Sequence, residues 1–317
     1  MVKVLILTHE NDPHANAVYS SLERRGVPFF RVDTEKLTTD YEITFHSKSG
    51  LYIISGKNEE VTIDEEWNIW NRRVMDPEIP KDVPKNLEEI VFTETKRTWQ
   101  GLLFAHRGKV VNRPQAEFAA NNKIDQLLFA RGHPKSVQIP DTLLTNNPGA
   151  LRRFYREHDQ ICHKLQRAAL VKEGEEYLIT YNNLVTSRNM QHTDLIRRNP
   201  SLFQVYIPKE YELRITALKG KNIAIAIFSQ DSEQSKVDFR RYDFDNVRYE
   251  LINLPPQVDH FCTSLLAHYG LNFGEIDMIR TPQGEYVFLE LNPNGQWLWL
   301  ELKSGYQLTE DVAENLL

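Results

Sequence analysis

The chain has 317 residues, 41% hydrophobic and 26% charged, and 44 acidic against 38 basic side chains leave a net charge of -6. That length allows two domains or one large one with a sizeable core, and the acidic balance argues against a dedicated nucleic-acid binder. Cys162 and Cys262 stand in no ligand spacing, so free thiols in a reducing cytosol are the default. The N-terminal apolar run is too short for a signal peptide, and no stretch approaches a bilayer-spanning length. The expectation is a soluble cytoplasmic protein with no membrane or nucleic-acid partner.

Lys3 to Leu7 is a continuous apolar run, the pattern of a buried parallel strand. Ala15, Val18, Tyr19 and Leu22 follow at helical spacing, closing at Gly26, and Val27 to Val32 reads as a second strand. This β-α-β start predicts an α/β domain. It has no G-x-G-x-x-G turn, so no dinucleotide site is assigned. His9 and His14 flank the turn and are read as solvated loop histidines rather than ligands. YEITF, LYIIS and residues 67 to 73 read as strands, and a helix then runs to Ala105 with Thr98, Trp99, Leu102 and Leu103 inward. Val110 to Pro114 is strand and linker, which places a domain boundary near Arg113.

Ala116 to Arg131 reads as one helix closed by Gly132, and a second helix is expected over Gly149 to His158. Gln160 to Leu165 and Tyr177 to Thr180 look like strands joined by a charged loop. From Leu202 the pattern is strand-rich, through FQVYI, YELRITAL, NIAIAIF and VDFRRYDF. A helix over Val258 to Tyr269 ends at Gly270. Glu275 to Ile279 and Glu285 to Leu291 form the last strands, with Gln283-Gly284 as the turn of a hairpin. Trp297 and Trp299 alternate, and buried packing is their expected role.

Chemistry concentrates at this end. Period two places Glu290 and Asn292 on one strand face, and the hairpin brings Asp277 beside them. A solvent-facing edge would explain the first two. The three oxygen donors together suit one hard cation such as Mg2+, which takes its remaining ligands from water and phosphate. Glu212 and Arg214 share one face of YELRITAL, and Asp238 and Arg240 are read the same way in VDFRR. Each is a structural ion pair on its own, whereas beside a metal triad they would build a polyphosphate pocket. Lys123 and Lys164 alone would be surface lysines; in this order they offer charge to phosphate.

These residues resemble the ATP-grasp superfamily over residues 113 to 317. The resemblance implies that Lys123 and Lys164 hold ATP phosphates and that the run Gln204-Val205-Tyr206-Ile207 holds adenine. It further implies that Glu212 meets the ribose, Arg214 turns to the phosphates, and Glu290-Leu291-Asn292-Pro293-Asn294 with Asp277 binds Mg2+. WNRR at 70 to 73, NNKIDQLLFARG, FQVYIPKEYELRIT, KVDFRRYDF and ELNPNGQWLWLE make the chain similar to the microviridin-type peptide macrocyclases, the graspetide synthetases. The implied fold is α/β (α+β), an ATP-grasp fold behind a Rossmann-like pre-ATP-grasp domain. Residues 1–113 would form that domain, 114–201 a central subdomain with a lid, and 202–317 the metal-bearing subdomain.

The implied activity is ATP-dependent ligation within a ribosomal precursor peptide of leader and core, joining Asp or Glu to Ser or Thr as an ester or to Lys as an amide. Arg240 would receive the acyl phosphate or the incoming carboxylate, with Asp238 orienting it. A homodimer is implied by the resemblance alone. The lid departs from the family pattern: HKLQRAALVKEGEEY carries Gly174 as its nearby glycine, and Lys172 rivals Lys164. Three other readings stay open, namely a ligase for free amino acids, an enzyme extending a protein tail, and an ATP-binding scaffold without chemistry.

Overall fold

Strand β1 (Lys3–Thr8) is apolar on both faces because both are covered. Val4 and Ile6 pack with Ala15, Val18, Leu22 and Trp70, while Leu5 and Leu7 pack with Phe30, Trp67, Trp99 and Leu103. Two-sided burial of this kind is what a parallel sheet requires. The computed structural model describes residues 2–57, 59–166, 170–173, 176–179, 181–241 and 243–317, with backbone alone for 170–173 and 176–179. Among these residues no helix is long and apolar enough to cross a membrane.

In the N-terminal domain α1 (Pro13–Arg24) starts at Asp12, whose side chain accepts from His14 N, and β2 (Phe29–Asp33) follows. Strands β3 (Glu42–His46), β4 (Leu51–Ser55) and β5 (Glu60–Ile63) form an antiparallel sheet. Strand β6 (Trp67–Asn71) leads through α2 (Glu88–Ala105) to β7 (Val110–Val111), completing a sheet of order β2-β1-β6-β7 whose pairings are parallel. On α2 the buried residues are Trp99, Leu102 and Leu103, whereas Thr98 is exposed rather than inward. β5 was not anticipated from the sequence.

The helix expected over 116–131 is in fact two, α3 (Pro114–Ala120) and α4 (Lys123–Arg131). Asn122 causes the break, because its side chain accepts from Ile124 N and Asp125 N at 3.1 Å each and caps a new helix. Next come β8 (Thr142–Thr145), α5 (Pro148–Glu157), β9 (Ile161–Lys164), β10 (Leu170–Glu173), β11 (Glu176–Ile179), β12 (Asn183–Leu184), α6 (Ser187–Met190) and β13 (Ser201–Val205). Strands β12-β9-β13-β8 make one antiparallel sheet, and β10 pairs with β11. Gly174 of the expected lid and the side chain of Lys172 lie outside the described residues.

The C-terminal sheet has the order β16-β15-β14-β17-β18. Its strands are β14 (Tyr211–Leu218), β15 (Lys221–Ile227), β16 (Tyr249–Ile252), β17 (Phe273–Arg280) and β18 (Tyr286–Asn292). Helix α7 (Pro256–Tyr269) closes on Gly270 at φ +68°, a left-handed cap that glycine adopts without Cβ strain. It packs on one face of the sheet, Val258, Phe261 and Leu265 meeting Leu213, Ile215, Met278 and Phe288. The other face is divided. Leu218, Ile223, Ile225 and Phe273 share a core with β1 and α1, while Glu212, Arg214, Glu275, Asp277 and Glu290 occupy the rest. Residues 239–241 form a single 3-10 turn, not the strand expected of VDFRRYDF. Helices α8 (Leu298–Ser304) and α9 (Leu308–Glu314) end the chain.

Trp297 and Trp299 therefore do not share a strand face. Trp297 is fully buried, and Trp299 lines the cleft from α8. His14 is buried rather than solvated: its Nε2 accepts from Trp297 N at 3.2 Å and its ring meets the Trp297 indole edge-on at 4.6 Å.

Candidate active site

The divided face of the C-terminal sheet opens into one continuous cleft. Its inner part is lined by Lys164, Gln204, Val205, Tyr206, Ile207, Glu212, Asp238, Arg240, Asp277 and Glu290, among others. Its wider outer part adds Lys123, Arg214, Asn292 and Arg73. All twelve site residues expected from the sequence line one or the other. Gln204 is 3% exposed, with its amide nitrogen donating to Thr142 Oγ1 at 3.0 Å.

Strands β17 and β18 set Asp277 directly opposite Glu290, and Glu275 opposite Asn292. The Asn292 amide nitrogen lies 3.3 Å from both Asp277 Oδ2 and Glu290 Oε1; a half-turn of that amide would present its oxygen instead. Burial, reinforced by the Glu290 charge, raises the Asp277 carboxyl although Arg214 opposes it. Burial acts the same way on Glu290, but Lys123 and Lys164 outweigh it and hold that carboxyl well below its usual range. Two carboxylates and an amide converging in a buried cleft are the hard-oxygen donor set that Mg2+ takes, and their mutual repulsion is what a cation would relieve. The residues fit that ion.

Lys123 opens α4 and ion-pairs with Glu290, also donating to Leu165 O at 3.2 Å. Gln126 explains how it is held there. This buried side chain donates to Leu291 O at 2.8 Å and accepts from Leu291 N at 2.8 Å, fastening α4 to β18 one turn from Lys123. Lys164 ends β9 at 8% exposure and touches no carboxylate among the described residues. Burial lowers its pKa against the pull of Glu290. A buried ammonium without a contacting partner is costly, and an anionic ligand would offset that cost.

Arg214, expected to turn to phosphate, lines the cleft among carboxylates. Its Nη1 donates to both Asp277 oxygens at 2.8 Å, and its Nε lies 3.1 Å from Glu275. It fixes a carboxylate rather than projecting freely. Burial pushes the fully enclosed Glu275 carboxyl up to about 7 against Arg214 and Thr216. Asp238 and Arg240 pair through the 3-10 turn instead of along a strand, Arg240 Nε and Nη2 donating at 2.9 and 2.6 Å. Burial would raise Asp238, but Arg240 outweighs it and holds the acid low.

Several members escaped the sequence reading. Lys209, 8% exposed, ion-pairs with Glu212 and donates to Val237 O at 3.3 Å; its signal was its place three residues before Glu212 in FQVYIPKEYELRIT. Glu212 Oε2 is buried with no hydrogen-bond partner among the described residues, and burial pushes this carboxyl up to about 7 against Lys209. Arg72, 0% exposed, donates through Nη1 to Asn294 O and Gly295 O at 3.1 and 2.9 Å and stacks over Trp297 at 5.0 Å. Its Nε meets Asp12 at 3.3 Å. The N-terminal domain thus holds the loop that follows Asn292. WNRR carried that signal without a role.

Residues 3–117 match the family model of the MvdD pre-ATP-grasp domain. The whole chain superposes on the RiPP-associated ATP-grasp ligase of Chryseobacterium gregarium, solved with ADP and a leader and core peptide, at TM-score 0.90 and 26% identity. That match covers 100% of this chain and 96% of the other. Macrocyclase MdnC of Microcystis aeruginosa, bound with precursor peptide MdnA, matches at TM-score 0.84 and 26% identity, and MdnB at 0.78 and 29%. Both matches cover 100% of this chain and 99% of theirs. D-alanyl-alanine synthetase A of Vibrio cholerae, at TM-score 0.59 and 14% identity, shares the fold alone. No curated protein sequence matches.

The fold and cleft define an ATP-grasp protein behind an MvdD-type pre-ATP-grasp domain. Over its whole length the chain is similar to the RiPP-associated ATP-grasp ligase and the macrocyclases above, at 26–29% identity.

Proposed function

We propose that the protein is an ATP-dependent macrocyclase that links side chains of a ribosomal precursor peptide. The observation that carries this reading is the convergence of Lys123, Lys164, Asp277 and Glu290 from four elements on one cleft. In this reading the inner pocket takes the nucleotide, with adenine beneath residues 204–207 and a ribose hydroxyl on the unpartnered Glu212 oxygen. Asp277, Glu290 and Asn292 would hold Mg2+, which neutralises phosphate charge when bound. Lys123 and Lys164 would bind phosphate oxygens, and Arg214 fixes Asp277.

A carboxylate is a poor electrophile. Its oxygen would attack the γ-phosphorus, breaking the bond to the β-phosphate oxygen and giving an acyl phosphate plus ADP. A hydroxyl or amine of the same peptide would then attack the acyl carbon, lose its proton and release phosphate. Such transfer depends on positioning and charge neutralisation rather than on covalent help. Asp238, held low by Arg240, suits orienting that arginine better than accepting a proton. A cytoplasmic location and a homodimer complete the proposal, the second read by light scattering.

The test is mass spectrometry of a candidate precursor, from a short reading frame beside the gene, co-expressed with wild-type enzyme and with Glu290→Ala. Loss of one water mass per ring, absent in the variant, supports the reading; methanolysis then separates ester from amide. ATP turnover driven by free amino acids, with the precursor unchanged, would replace it with a small-molecule ligase.

A further inference from the structure

The cations of the outer cleft are nearly all committed. Lys123 pairs with Glu290, Arg214 with Asp277, and Arg240 with Asp238. Lys164 touches no carboxylate among the described residues but lies buried within the field of Glu290. Arg73 is the exception. It lines the outer cleft with Asn294, Gln296 and Trp299, is exposed, and contacts no carboxylate among the described residues. It is absent from the lining of the inner pocket, which Arg240 does line.

Its backbone is unusual as well. Arg73 is the one non-glycine at positive φ among the described residues, at +48°, a conformation that costs an ordinary side chain energy. The turn is pinned on both sides: Arg72 N donates to Leu7 O at 2.8 Å, and Met75 N donates to Thr34 Oγ1 at 2.8 Å. Arg72 is thereby turned inward onto the 294–295 carbonyls while Arg73 is turned out to the cleft. A strained backbone that aims an unpaired guanidinium at a substrate channel, in a protein of net charge -6, points to an anion that is not nucleotide.

We propose that Arg73 receives the acidic side chain of the peptide before it is phosphorylated, as a specificity-determining residue supplied by the N-terminal domain. This rests on the macrocyclase reading. It moves the incoming carboxylate away from Arg240, whose guanidinium Asp238 already engages, and leaves Arg240 facing the nucleotide end. A guanidinium binds a carboxylate through paired N–H donors, so replacing Glu by Gln in the substrate should be felt at Arg73.

The experiment uses a precursor that wild-type enzyme cross-links, and its twin with core Asp and Glu changed to Asn and Gln. The Kd of each is measured by fluorescence anisotropy on MgADP-loaded wild-type protein, Arg73→Gln and Arg73→Gly. Glycine accepts φ +48° freely, so the second variant removes the charge without backbone strain. Wild-type enzyme should prefer the acidic peptide by about tenfold, a modest charged contact, and both variants should lose most of that preference. An undiminished preference in both overturns the role of Arg73 while cross-linking by the wild type keeps the functional reading intact. If wild-type enzyme cross-links no precursor, that reading falls and the inference falls with it.

Discussion

Asp277 and Glu290 face each other across β17 and β18, and the pairing slips by one residue immediately beside them. Asp277 pairs with Glu290, yet Met278 pairs with Phe288, so Leu289 has no opposite number. Strict alternation would have put Phe288 and Glu290 on one face. The bulge changes the phase: Phe288 stays in the core against Phe261, while Leu289 and Glu290 both reach the cleft. A bulge beside a functional carboxylate re-aims it without sacrificing the sheet.

Glu290 pairs with Lys123 and draws on Lys164 through its field, so its removal should act in opposite directions on two ligands. Glu290→Gln is expected to abolish cross-linking and weaken MgADP binding by tenfold or more, roughly one charged contact. Binding of metal-free ADP should hold or tighten, since Lys123 is released to phosphate and no carboxylate charge is left beside Lys164 to repel it. Calorimetry with and without Mg2+ separates the two; equal losses in both would refute the metal assignment.

Lys164 is a buried cation without a contacting carboxylate among the described residues, so it should cost stability and contribute binding. Lys164→Met is expected to raise the melting temperature of the nucleotide-free protein, and to weaken ADP binding about tenfold or more. A variant that melts lower and binds ADP normally would make Lys164 a structural residue.

Gly295 lies where no side chain fits. A Cβ there would overlap Cβ and Cγ of Glu275 and come within 2.9 Å of Arg214 Nη2. Gly295→Ala should therefore destabilise the protein by about 1–3 kcal/mol, the usual cost of overpacking, and disturb Arg214 on Asp277. Denaturant melts report the first effect, and the Mg2+ concentration at half-saturation reports the second.

Glu117 gives a pH signature. Burial pushes its carboxyl up to about 8, despite hydrogen bonds from Asn294 and Asn71. The folded pKa exceeds the unfolded value, so the proton it holds stabilises the fold below about pH 4.5, and that stability is lost as pH rises towards 8. Glu117→Gln keeps the acceptor for Asn71 and removes the titration. Its melting temperature should gain on wild type steadily from pH 5 to 8, and parallel curves would refute the assignment.

Much of the element order, and the residues that line the cleft, were legible in the sequence because both rest on local signals. β1 announced itself by its apolar run, α7 by its period and Gly270, and Lys123, Glu212 and Glu290 by their order along the chain. What stayed hidden depends on contacts between distant segments. The capping role of Asn122 split a helix that periodicity joined, and the pairing of Asp238 with Arg240 rests on a turn rather than a strand. His14 could not be placed without Trp297, and nothing local to Gln126 shows that it bonds the backbone of residue 291. The strand face of Arg214 is legible from its alternation with Glu212; only the sheet register shows Asp277 directly opposite it.

The clasp of Arg72 on the 294–295 carbonyls bears on protein engineering. Hybrids that graft the front end of one such ligase onto the back end of another would be cut near Arg113 on sequence grounds. Asp12, His14 and Arg72 would then travel with one parent, and Trp297 and its loop with the other. The graft would inherit a mismatched lock at the point where the loop leaves Asn292, so a working chimera should exchange residues 293–297 together with the first 113.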